Sequence, residues 1–402
     1  MQQIDDKYSL GFDKAGKSRY NGCWSCGRTA PKNTPGAERK LKMGKTAVQF
    51  GLLLILVALT AILVPSLTPL PDPEYLTPVN WADITLHNHL VIAQWGPLTL
   101  TGWGVSVALG LGAAALLTMF LGRKHLSSTL SLILSASVGG ILGGRILYCL
   151  AAMDLVQVYY GGIAFLPKMW LGGFTLYGAV LGAIAATALY AAAKKKPLAP
   201  LMSLLAPGGA LVLMVERFAE ALTDQGLGDY IFDESLAFFP VTVTSSWGDL
   251  QVPVFFYEGV MAAVLLAVSL IHCRKQSGWE IFTVLLALSQ ILLESLREDE
   301  FICYGFVRFN QLASAAVLAV LLFIRIRRQV KTNGRWTLWA ALRILLSLMG
   351  AGMVILLEFA LDKSEINNLI LYGVMAVTLV VMGIAALKQG TLTARHRKGE
   401  SA

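Results

Sequence analysis

The sequence predicts an all-α polytopic membrane protein, and three observations predict it. Apolar residues make up 55% of the 402 positions and charged residues 14%, where a soluble domain carries about a quarter charged. Mean hydropathy is +0.62. The apolar residues also fall in continuous runs rather than in alternation. Continuous runs of about 20 residues are what a helix needs to cross a hydrocarbon core, whereas barrel strands alternate.

Apolar runs and the breakers between them give ten spans: 46–66, 96–121, 129–152, 170–193, 201–222, 253–272, 279–296, 305–324, 336–359 and 366–387. Short loops with Pro, Gly or clustered charge separate most of them. The 45 residues ahead of the first span are basic and rich in Gly, Pro and Lys, a composition that does not support a packed core. A polar stretch of this length before the first apolar run argues against a cleaved signal peptide, so 46–66 is read as a permanent anchor.

Lys and Arg orient the spans. Basic clusters lie in the N-terminal tail, at Arg123–Lys124, Lys194–Lys196 and Arg274–Lys275, within 325–335 and within 388–398. In an alternating ten-span chain all of them fall on one side. The loops 67–95 and 223–252, on the other side, contain neither Lys nor Arg. The positive-inside rule then places both termini in the cytoplasm. Basic loops at an anionic inner leaflet account for the net charge of +8, and no nucleic-acid partner is called for.

The remaining charges are the informative ones. Within "ERFAEALTDQGLG" (216–228) stand Glu216, Arg217, Glu220 and Asp224, directly after an apolar run. Arg145, Glu258, Glu294, Arg297 and Arg308 are likewise within or at the edges of spans. Each costs about 2.5–3.5 kcal/mol at mid-membrane on insertion scales, so each is a functional candidate. The spacing of Arg217, Glu220 and Asp224 puts them on one helix face. Taken singly, Arg217–Glu220 and Glu294–Arg297 can equally be local ion pairs that hold helices together. Taken as a set they converge on the outer half of the membrane, where guanidinium groups match a lipid phosphate. Arg343 and Glu358, in the last hairpin, are read as packing residues.

With those residues in view, the chain resembles the prolipoprotein diacylglyceryl transferase family over about 92–325. "WGPLTLTGWG" (95–104) resembles the family's first-helix segment, with Trp103 where Tyr is usual, and "GGRILYCL" (143–150) its Gly-Arg segment. "GGFTLYGAVLG" (172–182) resembles a His-Gly-Gly motif with Tyr177 at the His position. "ERFAEALTDQGLG" resembles the family signature: Arg217 and Gly228 match, while Glu220 and Thr223 replace Asn and Gln225 replaces Glu. "PVFFYEG" (253–259) keeps Tyr257 and Glu258, "LLESLREDE" (292–300) keeps Glu294 and Arg297, and "FNQLAS" (309–314) resembles the final Gln-containing helix.

The resemblance implies a seven-helix transferase-like membrane core at 96–325. Around it would lie a cytoplasmic tail (1–45), an extra anchor (46–66), an outer loop (67–95) and a C-terminal helical hairpin with a basic tail (326–402). It implies transfer of diacylglycerol from phosphatidylglycerol to a lipobox cysteine of a prolipoprotein at the bacterial cytoplasmic membrane, with glycerol phosphate leaving. No metal and no cofactor is implied. Arg217 and Arg297 would hold the phosphate and stabilise the leaving group, with Tyr177 orienting it. Glu220, or Asp224, would supply the base that generates the thiolate. Arg145, Trp103, Asp224, Gly228, Tyr257, Glu258 and Glu294 would line the substrate site. The alternative is a family member that has lost catalysis and binds anionic lipid or a lipoprotein precursor. Tyr177 and Gln225 point that way, and the intact Arg217, Tyr257, Glu258 and Arg297 point back. A transporter is the weakest reading, since no paired broken helices recur in two halves.

Two smaller features complete the reading. The "CWSC" pair at Cys23 and Cys26 offers two thiolates, half of what a structural zinc site needs, and with no second pair in the tail it is read as a reduced, solvated pair. His87 and His89, in the outer loop, are read as solvated.

Overall fold

The computed structural model of the protein describes residues 35–67, 69–71, 84–86, 90–275, 277–298, 302–304, 307–334, 336–364 and 366–387. Most of the basic N-terminal tail with Cys23 and Cys26, the His87–His89 segment and the basic C-terminal tail lie outside the described residues. Eleven α-helices are seen among them: α1 (Pro35–Leu63), α2 (Gly102–Leu121), α3 (Leu126–Ala151), α4 (Met153–Tyr159), α5 (Leu176–Ala193), α6 (Leu198–Ala219), α7 (Val254–His272), α8 (Gly278–Glu294), α9 (Phe309–Asn333), α10 (Leu338–Lys363) and α11 (Asn368–Leu387). Four two-stranded antiparallel ribbons occupy the connections. The protein is thus an all-α, multi-pass membrane protein.

Each of the ten expected spans carries a long helix, and the short α4 is the addition. Nine of the ten are apolar over 18 or more residues. α8, at 17 residues, is at the short limit for crossing a hydrocarbon core, about 17–25 residues. Helix starts differ from the apolar runs for local reasons. Residues 98–101 pair with 91–95 as a ribbon, so α2 begins only at Gly102. There the Thr101 hydroxyl accepts from Gly104 N at 3.0 Å and donates to the Pro65 carbonyl at 2.9 Å. At α5 the run opens with Gly172 and Gly173, both at positive φ, and the helix waits for its N-cap, Thr175, which accepts from Gly178 N at 3.1 Å. A side-chain oxygen at this position satisfies an amide that the helix itself cannot.

Small residues bring α3 and α5 into contact. A Cβ added at Gly182 would stand 2.0 Å from the Gly139 carbonyl oxygen, and one at Gly143 would stand 2.4 Å from that of Gly178. The glycine runs therefore act as a packing surface, as expected in lipid, where helices associate by close approach rather than by hydrophobicity. α6 lies between α2 and α7, with Ala210 and Leu213 buried against Ala262, Leu265 and Leu286. α11 covers α8, where Leu371, Met375 and Leu379 pack with Ile291 and Leu357. Outward faces are apolar and exposed, for example Leu109, Leu116 and Phe120 on α2 and Leu348 and Leu356 on α10. That is the pattern of a lipid-facing bundle.

Candidate active site

The site forms where the end of α6, the start of α7, the end of α8 and the start of α9 meet. α6 runs on into a single 3₁₀ turn, Glu220–Leu222, which keeps Glu220 one turn beyond Arg217. The strand-like segment that follows is wedged between two neighbours. Gly228 N donates to the Val252 carbonyl at 2.8 Å and Phe255 N to that of Gly226 at 2.8 Å. On the other side Gly228 bridges Arg297 in antiparallel fashion, and Glu298 N donates to the Leu227 carbonyl at 2.9 Å. Glycine is needed at two places in this wedge. Gly226 has φ +73° with the Glu220 carboxylate 2.3 Å from where a Cβ would be, and Gly228 has the Leu296 carbonyl oxygen at 2.4 Å.

This wedge brings four ionisable side chains from three elements into one contact. Arg217, Glu220, Glu258 and Arg297 are each at most 5% exposed. The Arg217 Nη1 donates to Glu220 Oε1 and lies 3.4 Å from Glu258 Oε2. Arg297 Nη1 donates to Glu258 Oε2 at 2.5 Å and to Glu220 Oε2 at 3.3 Å. Two guanidinium groups are therefore held by two carboxylates in a closed lattice. Glu216 flanks it, with Oε2 3.4 Å from Arg217 Nε, and Gln290 Nε2 donates to Glu258 Oε1 at 3.4 Å. Ions that meet in a low-dielectric interior are tolerable because each is paired and hydrogen-bonded; removing one partner leaves the other exposed to the full desolvation cost, about 3–5 kcal/mol.

A cavity of about 320 Å³ opens against this lattice. Its walls come from α2, α3, α5 and α6 and from the end of α1 at Thr60 and the residues after it, and are almost wholly apolar, with Trp103, Phe174, Ile133 and Leu213 among them. Its polar end is made by Glu216, Arg217, Glu294, Arg297 and Asn310. One Glu294 oxygen accepts from Asn310 Nδ2. The other, and the Trp103 Nε1, are buried without a hydrogen-bond partner among the described residues.

The structure thus unites Arg217, Glu220, Glu258 and Arg297, sets Glu294 beside them, and places Trp103 on the cavity wall. The other candidates stand elsewhere. Arg145 is buried, but its guanidinium is taken up by the carbonyls of Phe165, Leu166, Lys168, Gly172 and Gly173 and stacks over the Phe165 ring at 3.9 Å. It ties the 160–175 loop to α3. Asp224 turns to the ribbon formed by residues 243–244 and 250–251, accepting from the Ser246 hydroxyl at 2.6 Å and from Ser246 N at 3.2 Å. Tyr257 donates to the Pro240 carbonyl at 2.9 Å. Tyr177 makes its hydrogen bond away from the arginine–carboxylate lattice. Its hydroxyl lies 2.5 Å from Ser314 Oγ, and Ser314 donates to the Asn310 carbonyl at 2.6 Å. Tyr177 therefore supports, through α9, the segment whose Asn310 holds Glu294. Gly228 contributes backbone alone.

Gln290 and Asn310 were not singled out from the sequence. The available signal was an amide four residues before Glu294 in an apolar run in one case and an amide two residues after Arg308 in the other.

Fold and site together define a multi-pass membrane protein with an apolar chamber in its bundle, closed at one end by ionisable side chains. The model of the family described as prolipoprotein diacylglyceryl transferase matches residues 90–327, well over half of the chain, and the chain belongs to that family. Its relatives include proteins named phosphatidylglycerol–prolipoprotein diacylglyceryl transferase. The one from Symbiobacterium thermophilum is 28% identical over 251 residues, 58% of this chain and 89% of the relative. The one from a Caulobacter species is 28% identical over 287 residues, 62% and 90%. That of Bacillus velezensis is 22% identical over 254 residues, 59% and 91%. The matched region takes in α2 to most of α9 and leaves α1, α10 and α11 outside.

Proposed function

We propose that the chain is a phosphatidylglycerol–prolipoprotein diacylglyceryl transferase, acting on the lipobox cysteine of a prolipoprotein at the bacterial cytoplasmic membrane. Family membership supports the reaction. The observation that carries it at the level of residues is the shape of the chamber: an apolar volume for acyl chains that ends on Arg217 and Arg297. The phosphate of the lipid would sit at that end, sharing the guanidinium N–H groups with Glu220 and Glu258, and the Trp103 Nε1 offers one more donor.

The chemistry is a displacement. The cysteine sulfur bonds to the terminal glyceryl carbon as that carbon's bond to the phosphate oxygen breaks. The electron pair leaves with the phosphate, as glycerol phosphate, and the product is a thioether. Arg217 and Arg297 stabilise the charge that gathers on the leaving oxygen. The thiol proton needs an acceptor. Glu220 is engaged by both arginines and Asp224 by Ser246, so the acceptor we infer is Glu294, whose second oxygen is not engaged. Tyr177 acts as a positioning residue for the Asn310–Glu294 pair.

The unit boundaries follow: a core at 96–325, with tail 1–45, anchor 46–66, outer loop 67–95 and hairpin and tail 326–402 around it. The basic clusters support cytoplasmic termini. In a background with the native cysteines replaced by Ser, Trp247→Cys should then react with an impermeant maleimide on intact cells and Arg274→Cys should not. The reverse pattern would invert the chain. The reaction itself is tested with phosphatidylglycerol labelled in its glycerol headgroup. Purified protein should release labelled glycerol phosphate when a lipobox peptide is added and not when its cysteine is serine. Release that ignores the cysteine would make the protein a phospholipase C-type hydrolase instead, with water taking the place of the thiol, and no release would favour the lipid-binding alternative.

A further inference from the structure

The α10–α11 hairpin has no part in the chamber, yet it makes a second one. α10 packs along α11, and α11 on α8, so α10 leans away from α9. Near their loop the two are tied by Gln329 Nε2, which donates to Thr337 Oγ1 at 3.0 Å, and by Arg343 Nη1, which donates to Gln329 Oε1 at 3.2 Å. At the far end Gln311 Nε2 donates to Glu358 Oε1 at 2.7 Å. Between these ties the helices part around a cavity of about 860 Å³, toward the large end of the range for ligand sites, about 300–1,000 Å³. Its long walls are apolar, with Leu318, Phe323, Val354 and Met382 among them.

Charge is distributed unevenly over this cleft. Arg327, Lys331 and Trp336 line the loop end and Glu358 the other. The neighbouring cations are already used: Glu280 takes Arg325 at 2.7 Å and Arg328 at 2.6 Å. Neither Arg327 nor Lys331 has an acidic partner among the described residues, and both are exposed. Trp336 is also exposed, as suits a side chain at a membrane–water boundary.

We propose that this cleft binds a membrane lipid with an anionic phosphate headgroup, its acyl chains lying between α9 and α10 and its phosphate held by Arg327 and Lys331. A neutral headgroup would leave two cations without a counter-charge. The carboxylate at the other end repels a phosphate, so the lipid has one orientation. The cleft joins α9, most of which lies within the family match, to α10 and α11, which lie outside it, and the inference rests on no part of the proposed reaction.

The test is native mass spectrometry of the delipidated full-length protein titrated with phosphatidylglycerol or phosphatidylcholine. Arg327→Glu with Lys331→Glu alters exposed side chains and should leave the fold intact. It should remove one bound phosphatidylglycerol per chain, weakening that binding by roughly tenfold or more, given about 1 kcal/mol per basic residue near a membrane surface. Ala319→Trp, which fills the cleft, should remove the same lipid, while Arg217→Ala should leave it. Wild-type uptake by both cleft variants, or equal uptake of phosphatidylcholine by the wild type, overturns the proposal. A dimer that Ala319→Trp converts to monomer overturns it too, since the occupant would then be a second copy of the chain.

Discussion

Arg145 and Arg297 are both buried arginines of an apolar bundle, and their surroundings assign them different work. Arg145 faces neutral carbonyls and an aromatic ring, which fix a loop. Arg297 faces carboxylates at the wall of a chamber. Lys keeps the charge but loses the planar fork, so the same substitution separates the two roles. Arg145→Lys should destabilise the fold by about 1–3 kcal/mol for carbonyls left unsatisfied, seen as a lower melting temperature, and leave transfer by the folded protein nearly intact. Arg297→Lys should lower kcat on the order of 10²-fold, the usual weight of one charge-stabilising donor. Glu294→Gln should also lower kcat, because an amide cannot take up the thiol proton. Melting curves beside steady-state kinetics decide the matter, and equal loss of stability and activity in both arginine variants would erase the distinction. In the sequence, residue type and membrane depth alone singled out Arg217, Glu220, Glu258, Glu294 and Arg297. They could not say which arginine meets carbonyls and which meets acids, because both look alike on a helix and their partners are distant in the chain.

At the scale of elements, the apolar runs located the long helices because length and hydropathy are nearly the whole requirement for crossing a membrane. They were less informative about where helices begin. Thr101 and Thr175 set α2 and α5 several residues later than the runs suggest, since a ribbon and a pair of positive-φ glycines come first. The α3–α5 contact rests on glycines and makes a graded prediction. Gly182→Leu adds a side chain where even a Cβ would meet backbone, so it should destabilise by at least about 1–3 kcal/mol. Gly140→Ala places its Cβ at an ordinary 3.4 Å from the Ala179 carbonyl oxygen and should be tolerated. Thermal melts of the two variants check this, and equal tolerance would mean that the two helices are not in contact through these glycines.

At the scale of the whole molecule, a family core carries a chamber of matching polarity, and three helices outside the match frame it. The ion lattice between Arg217, Glu220, Glu258 and Arg297 joins α6, α7 and the end of α8. It serves as both a clamp on the bundle and the floor of the chamber. Tyr177, which the resemblance sets where a His is usual, pointed with Gln225 to the lipid-binding alternative. Its place in the Ser314–Asn310–Glu294 support weakens that reading, because there it is not asked to act as a base. The most direct measurement is the mass of a synthetic lipobox peptide after incubation with the purified protein and phosphatidylglycerol. A gain of one diacylglyceryl group on the cysteine, with its rate lowered on the order of 10²-fold by Arg297→Lys, is the predicted result. An unchanged peptide, under conditions where a related transferase modifies it fully, would contradict the account and leave a lipid-binding protein in its place.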